Sequence, residues 1–370
     1  MAEALRARGG SVLLLVSSKE VDRQALSGAG EAEVAVLPAV GLERGGWGRF
    51  LRGFWRSLVQ SRALFRERAP SAVLAMGGFT GGPPILAGRH LGAATYLHEA
   101  NAVAGRANRW LARVVDRAFV HFPEAASQLR AREVLLTGMP VRSSLLGLDP
   151  AACRQTLGLD SERAVLLVAG GSQGARAINE AVVRVLPALA LVEPELQFVH
   201  LTGPHDVEWV RQAYAARQRR AVVVPFLTRM ELALGAATAA ISRAGASALA
   251  EFAALRLPAI LIPFPAAADN HQFHNARAFE VSGAARLQLQ AEATPEQLLW
   301  AVRDLLRTAS TRQTMSAALG RWHRPDAADR IAEAMLLSLS DRPVLAALSA
   351  SAPGRSTRLV SVGGAGPQSS

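Results

Sequence analysis

At 370 residues, half of them apolar and 19% charged, the chain is long enough for two ordinary domains and too apolar for a disordered or fibrous protein. Its single cysteine, Cys153, excludes an intramolecular disulfide, no secretory signal opens the sequence, and no apolar run reaches the roughly 18 residues a membrane span needs, so a reducing cytoplasm is the expected compartment. A net charge of +11, mostly from Arg, predicts attraction to an anionic surface, either nucleic acid or phospholipid.

In chain order, Met1 to Arg8 reads as the last turns of a helix, because Gly9-Gly10 is a helix stop followed by the strand Ser11 to Val16. A helix feeding a parallel strand normally follows an earlier strand, so a first strand and the loop after it are expected to be missing. A second strand, Ala32 to Leu37, follows. Between Gly41 and Pro70 aromatic and basic residues alternate: Trp47, Phe50, Leu51, Phe54, Trp55 and Leu58 fall on one helical stripe flanked by Arg. Such a helix either faces the core or lies in an anionic membrane interface, with Trp at the boundary. Base stacking on strands would look different, so nucleic acid is the weaker expectation.

Val73 to Met76 enters the glycine-rich turn GGFTGGPP (77–84), and Ala94 to Leu97 is a strand ending in HEAN (98–101). Polar residues just past a parallel strand lie where open α/β sheets bind ligands, although a buried, satisfied His98 is the plainer reading. Strands Arg117 to Phe122 and Val134 to Leu136 lead into TGMPVR, and the irregular run Ser143 to Pro150 reads as a linker.

The apolar strand Ala164 to Ala169 then turns through Gly170, Gly171 and Gly174, with Ser172 and Gln173 between them, into a helix carrying Ile178, Val182, Val183 and Leu186. This is the pattern of an anion cradle at a helix N-terminus. The dinucleotide fingerprint and the Walker pattern are both absent, which leaves a nucleotide diphosphate bound by other means. Strands Leu196 to Leu201, Ala221 to Val224 and Ala239 to Ile241 follow, then the small-residue turn SRAGAS (242–247) opening a helix with Glu251. Pro258 to Pro263 leads to a cluster of Asp269, Asn270, His271, Gln272 and Asn275, more than capping chemistry requires. Residues 349–370 drift to Ser, Gly, Ala and Pro and read as a disordered tail.

In this order GGFTGGPP, HEAN, GMPVR, GGSQGA, SRAGASALAE and DNHQFHNA resemble the MurG family, the N-acetylglucosaminyltransferases of peptidoglycan synthesis, from about Met1 to about Ala334. The resemblance implies an α/β fold of the GT-B kind, two Rossmann-like domains with parallel sheets facing a cleft. It implies an N-terminal acceptor and membrane domain (1–143), a C-terminal donor domain (144–322), a helix over 323–340 packing back on the first domain, and then the tail. The implied reaction is an inverting transfer, independent of metal and of any cofactor, from UDP-N-acetylglucosamine to undecaprenyl-pyrophosphoryl-N-acetylmuramoyl-pentapeptide. It would run at the cytoplasmic face of a membrane bound peripherally through Trp47, Phe50, Phe54 and Trp55, with no nucleic acid as partner.

Carried over by motif, Ser172 and Gln173 would meet the donor phosphates and sugar, and the turn at Ala246 to Ser247 would give backbone N–H groups to the diphosphate, with Ala248, Leu249 and Ala250 also among the substrate-binding residues. Glu251 would accept the ribose hydroxyls, and backbone near Phe226 and Leu227 would read uracil. Gln272 and Asn275 would hold the sugar, while Asn101 and Arg142 would line the acceptor side. His98 is the candidate base. Two departures stand out: the family's HEQN is HEAN here, with Ala100 offering no amide, and the family's GGTGGH loop is missing. A UDP-sugar-binding GT-B protein with impaired or different acceptor chemistry therefore remains the alternative.

Overall fold

Apolar runs separated by helical stretches build two wholly parallel sheets in a computed structural model, which describes residues 1–17, 33–38, 46–171 and 174–340 and the backbone of 358–362. Two compact units result, Met1–Pro140 with Asp326–Ser370, and Val141–Pro325.

The first unit holds β1 (Ser11–Ser17), β2 (Glu33–Leu37), β3 (Ala72–Ala75), β4 (Ala94–Glu99), β5 (Arg117–Val120) and β6 (Val134–Leu136). Its seventh strand comes from the far end of the chain: Arg358–Val362 lies at the sheet centre, giving the order β2, β1, Arg358–Val362, β3, β4, β5, β6. It runs parallel to both neighbours, pairing Val360 with Leu13 on one side and with Val73 on the other. This corrects the expectation of a disordered tail for that segment; the rest of 349–370 lies outside the described residues. Composition misleads there because five residues, three of them Leu or Val, suffice for a strand once two parallel neighbours are waiting.

Every residue of β3 and β4 is buried, as expected of strands covered on both faces. On one face Leu13, Leu15, Phe65, Ile85, Leu97 and Leu111 pack together. On the other, Tyr96 and Phe119 meet Leu5 and the helix Ala327–Ser340 through Ile331, Ala332 and Met335. Tyr96 Oη donates to Met335 O at 3.3 Å and is bonded to Ser338, Arg117 donates to Ala334 O at 2.9 Å, and Arg8 pairs with Asp329 and Glu333. The helix Trp47–Arg68 divides the stripe read from its sequence into two. Gly53, Ser57, Ser61 and Phe65 are buried, and Phe50 and Phe54 are half-buried, Phe50 lying 6.5 Å from Phe79. Trp47 (62% exposed), Leu51, Trp55 (63%) and Val59, spaced by four, form a separate outward row.

In the second unit β7 (Val165–Ala169), β8 (Gln197–Leu201), β9 (Ala221–Val224), β10 (Ala239–Ser242), β11 (Ala259–Leu261) and β12 (Arg286–Leu287) take the order β12, β11, β10, β7, β8, β9. The chain leaves β7 for β8 and β9, then returns to the other side of β7 as β10. The topological switch therefore lies between β7 and β10, the place where such sheets open a crevice for ligands. Ser143–Pro150 is not a linker. Leu145 is fully buried within this unit, and Asp149 caps the helix Pro150–Thr156 by accepting from Ala151 N at 3.0 Å.

Candidate functional site

The residues expected for the donor follow the carboxyl ends of β7, β9, β10 and β11, and the turns after β7 and β10 flank the switch point. After β7, Gly170 and Gly174 are required by crowding. A Cβ on Gly170 would lie 2.3 Å from Ala175 N, and one on Gly174, whose φ is +75°, would lie 2.2 Å from Thr202 O. Behind this turn Asn179 donates to Thr202 O (2.9 Å) and Asp206 (2.8 Å) and accepts from His200 Nε2, whose Nδ1 meets Tyr214 Oη at 3.1 Å. That buried network fixes the strand end against which the glycine turn rests. Burial pushes the His200 imidazole down to about 3, so it stays neutral. Ser172 and Gln173 lie outside the described residues.

After β10 the turn reaches Gly245, beside which a Cβ would meet nothing within 4 Å, so the approach to the helix Ala246–Leu255 is open. No side chain caps that helix, and its first intrahelical bond from Leu249 N to Gly245 O is 3.1 Å. Ala246, Ser247 and Ala248 precede that bond, and their N–H groups are the ones a diphosphate would use. Leu249 and Ala250 point into the core and serve packing. Glu251 sits one turn further on, mostly buried, and accepts from Arg142 Nη2 at 3.2 Å. Burial raises the Glu251 carboxyl above its usual range, while Arg142 opposes the rise. Arg142, expected on the acceptor side, thus pairs with Glu251 inside the second unit. Phe226 is exposed and Leu227 half-buried just past β9.

Gln272 and Asn275 are both buried and engaged with backbone: Gln272 Oε1 accepts from Phe264 N at 3.0 Å, and Asn275 Nδ2 donates to Ala244 O at 3.1 Å. Ahead of them Asp269 and Asn270 both take left-handed backbone (φ 49° and 53°), and the Asn270 side chain does not cap the helix His271–Val281. Asp and Asn are the side chains that tolerate that region best, so these two residues let the loop turn sharply ahead of the helix. One residue of the turn after β10 had no role assigned from the sequence. Arg243, buried, donates to Ile262 O (3.0 Å), Pro263 O (3.1 Å) and Gln290 Oε1 (2.9 Å), and its guanidinium lies 5.4 Å from the Phe264 ring centre. Burial lowers it only to about 10, so it remains a cation that ties the end of β11 to the turn after β10.

In the first unit His98 and Glu99 are the last two residues of β4 and not, as expected, residues beyond the strand. His98 is 0% exposed, its Nε2 donates to Gly138 O at 2.9 Å, and burial holds it below its usual value. It has the surroundings of a neutral structural strut, which argues against a base that meets substrate. Asn101 is half-buried beside it.

Family models match both parts of the chain. The glycosyltransferase family 28 N-terminal domain matches residues 1–120 and the corresponding C-terminal domain matches 165–331. A UDP-N-acetylglucosamine–N-acetylmuramyl-(pentapeptide) pyrophosphoryl-undecaprenol N-acetylglucosamine transferase of Anaeromyxobacter sp. (strain Fw109-5) is 40% identical over 280 residues, covering 75% of this chain and 72% of that protein. The protein of that name from Sorangium cellulosum (strain So ce56) is 41% identical over 313 residues, covering 83% and 75%. Among solved structures, Acinetobacter baumannii MurG superposes with a TM-score of 0.68 at 27% identity, over 90% of this chain and 93% of that one. Two parallel-sheet units, matched by the two domains of glycosyltransferase family 28, define a glycosyltransferase of the GT-B class. Within that class the chain belongs to family 28 and to its MurG branch.

Proposed function

We propose that this chain transfers N-acetylglucosamine from UDP-N-acetylglucosamine to undecaprenyl-pyrophosphoryl-N-acetylmuramoyl-pentapeptide, converting lipid I to lipid II. The observation that carries the reading is the grouping at the switch point of the second sheet. The glycine turn after β7, the uncapped helix N-terminus after Gly245 and Glu251 lie at neighbouring strand ends of a chain 40% identical to a transferase of that name. An acceptor hydroxyl attacks the anomeric carbon, the bond from that carbon to the diphosphate oxygen breaks, and the charge that develops on UDP falls on the N–H groups of Ala246 to Ala248. Glu251 accepts the ribose hydroxyls, Gln272 and Asn275 shape the sugar pocket, and Asn101 belongs to the acceptor side. Incubating the protein with labelled UDP-N-acetylglucosamine and a lipid-linked muramoyl-pentapeptide should yield a labelled lipid and UDP. Donor binding without product would favour a UDP-sugar-binding role instead.

The same reading places the protein at the cytoplasmic face of the membrane as a peripheral protein. Among the described residues no helix is long and apolar enough to cross a membrane. The outward row Trp47, Leu51, Trp55 and Val59 is bordered by Arg49, Arg52 and Arg56, so apolar insertion and headgroup attraction act on one surface. Phe50 and Phe54, tied to Phe79 and Gly82, give shape to the row and not insertion. Vesicles containing anionic lipid should therefore co-sediment with the protein at low salt and release it at high salt, and Trp47→Ser/Trp55→Ser should lose most of that binding. Equal binding to neutral vesicles, or none to either kind, would return the row to packing.

A further inference from the structure

Glu99 is 2% exposed at the end of β4, and four donors converge on its two oxygens. Oε1 accepts from Asn101 N at 2.9 Å and from Asn101 Nδ2 at 3.2 Å. Oε2 accepts from Gly105 N at 2.9 Å and from Asn108 Nδ2 at 2.8 Å. Both oxygens accept and neither donates, which a carboxylate does and an amide cannot. Gly105 precedes the helix Arg106–Leu111, so the carboxylate spans the whole turn from the strand end to the next helix. Gln128 braces the same turn from the other side, accepting from Ala104 N at 2.9 Å and donating to Ala102 O at 2.9 Å. The Asn101 side chain is bonded directly to Glu99 through its Nδ2. Ala100 supplies no side-chain hydrogen bond to the turn, which leaves Glu99 as the charged anchor inside it.

We infer that Glu99 is a positioning residue for the acceptor: its carboxylate sets the turn 100–105 and, through it, the amide of Asn101. The inference rests on the acceptor role given to Asn101 above. Burial of an acceptor that gathers four donors explains why the position calls for Glu, since a charge buried without such partners would be expelled. Charge-assisted hydrogen bonds are the stronger kind, so the turn is held more tightly than backbone pairing alone would hold it.

The test is a mutant cycle of Glu99→Gln, Asn101→Ala and the double variant, with Asn108→Ala as a milder lesion should Glu99→Gln not fold. Three quantities are read: kcat and KM for the lipid-linked acceptor, the acceptor's dissociation constant without donor, and the dissociation constant of UDP. Glu99→Gln should lower kcat/KM for the acceptor about a hundredfold and Asn108→Ala about tenfold, with the UDP constant changed less than twofold. In the Asn101→Ala background Glu99→Gln should add less than about threefold, because residues acting as one unit are not additive. Full acceptor kinetics in Glu99→Gln, or a loss that multiplies in full with Asn101→Ala, would overturn the inference, as would a silent Asn101→Ala. A wild-type chain that makes no product would fail the transferase reading alone, and acceptor binding by the same variants would then decide this one.

Discussion

Buried histidines give the residue scale its most direct consequence. His121 in the first unit and His200 in the second are both driven down to about 3, His121 by burial with His98 nearby and His200 by burial. Unfolded, each returns to about 6.5, so each contributes stability that is present above pH 6.5 and is lost as pH falls towards 3. The loss is about 1.4 kcal/mol per pH unit for each residue inside that window, or about 2 kcal/mol each between pH 7 and pH 5. Urea unfolding at those two pH values should therefore show both units weakened, and a stability unchanged by acid would contradict the neutral assignment. His98 illustrates what a linear sequence hides: HEAN can be read as polar residues past a strand, but whether the ring faces a ligand or Gly138 O depends on a residue 40 positions away. The partners of Arg243 and Glu99 were equally unreadable, for backbone carbonyls and amides have no signature of their own. Glu251 and the glycines were legible because helix starts and tight turns are local.

At the scale of elements most strands of the second sheet were legible to within a residue or two, since β7, β10 and β11 are short buried runs and β8 and β9 are rich in Val and other apolar residues. β12, two residues long, had too little pattern to be seen. The strand Arg358–Val362 was obscured by the composition around it, yet its position has the larger energetic consequence. Remove it and β1 and β3 lose their shared partner, leaving two rows of backbone N–H and C=O groups facing a gap at the sheet centre. Each buried group left unpaired costs about 1–3 kcal/mol, so a handful exceeds the 5–15 kcal/mol that holds a domain together. Deleting residues 341–370 should abolish the unfolding transition of the first unit and expose aggregation-prone edges, while the second unit unfolds as before. Adding a synthetic peptide of residues 355–366 should restore part of the lost transition. A truncated chain that keeps both transitions would show that the sheet closes without this strand.

For the whole molecule, the division into two units separates the proposed chemistry into two stabilities. Every residue assigned to UDP, from the glycine turn after β7 to Asn275, lies within Val141–Pro325, and Arg142, read from its motif as an acceptor residue, joins them through Glu251. A ligand that binds one folded unit stabilises that unit by RT ln(1 + [L]/Kd), about 2.7 kcal/mol at a hundredfold excess over Kd, and leaves an independent unit untouched. UDP should accordingly raise the melting of the second unit alone. Glu251→Ala, which removes hydrogen bonds to a charged acceptor worth about 2–3 kcal/mol, should require far more UDP for the same shift. Glu99→Gln should leave that shift intact while lowering the transition of the first unit, because the amide nitrogen it brings cannot accept the two hydrogen bonds made to one carboxylate oxygen, and those bonds belong to the other sheet. Differential scanning calorimetry resolves the two transitions and reads all three proteins. If UDP instead moves both transitions together in the wild type, the units are energetically coupled, and UDP binding to the second unit is felt by the first before any other ligand arrives.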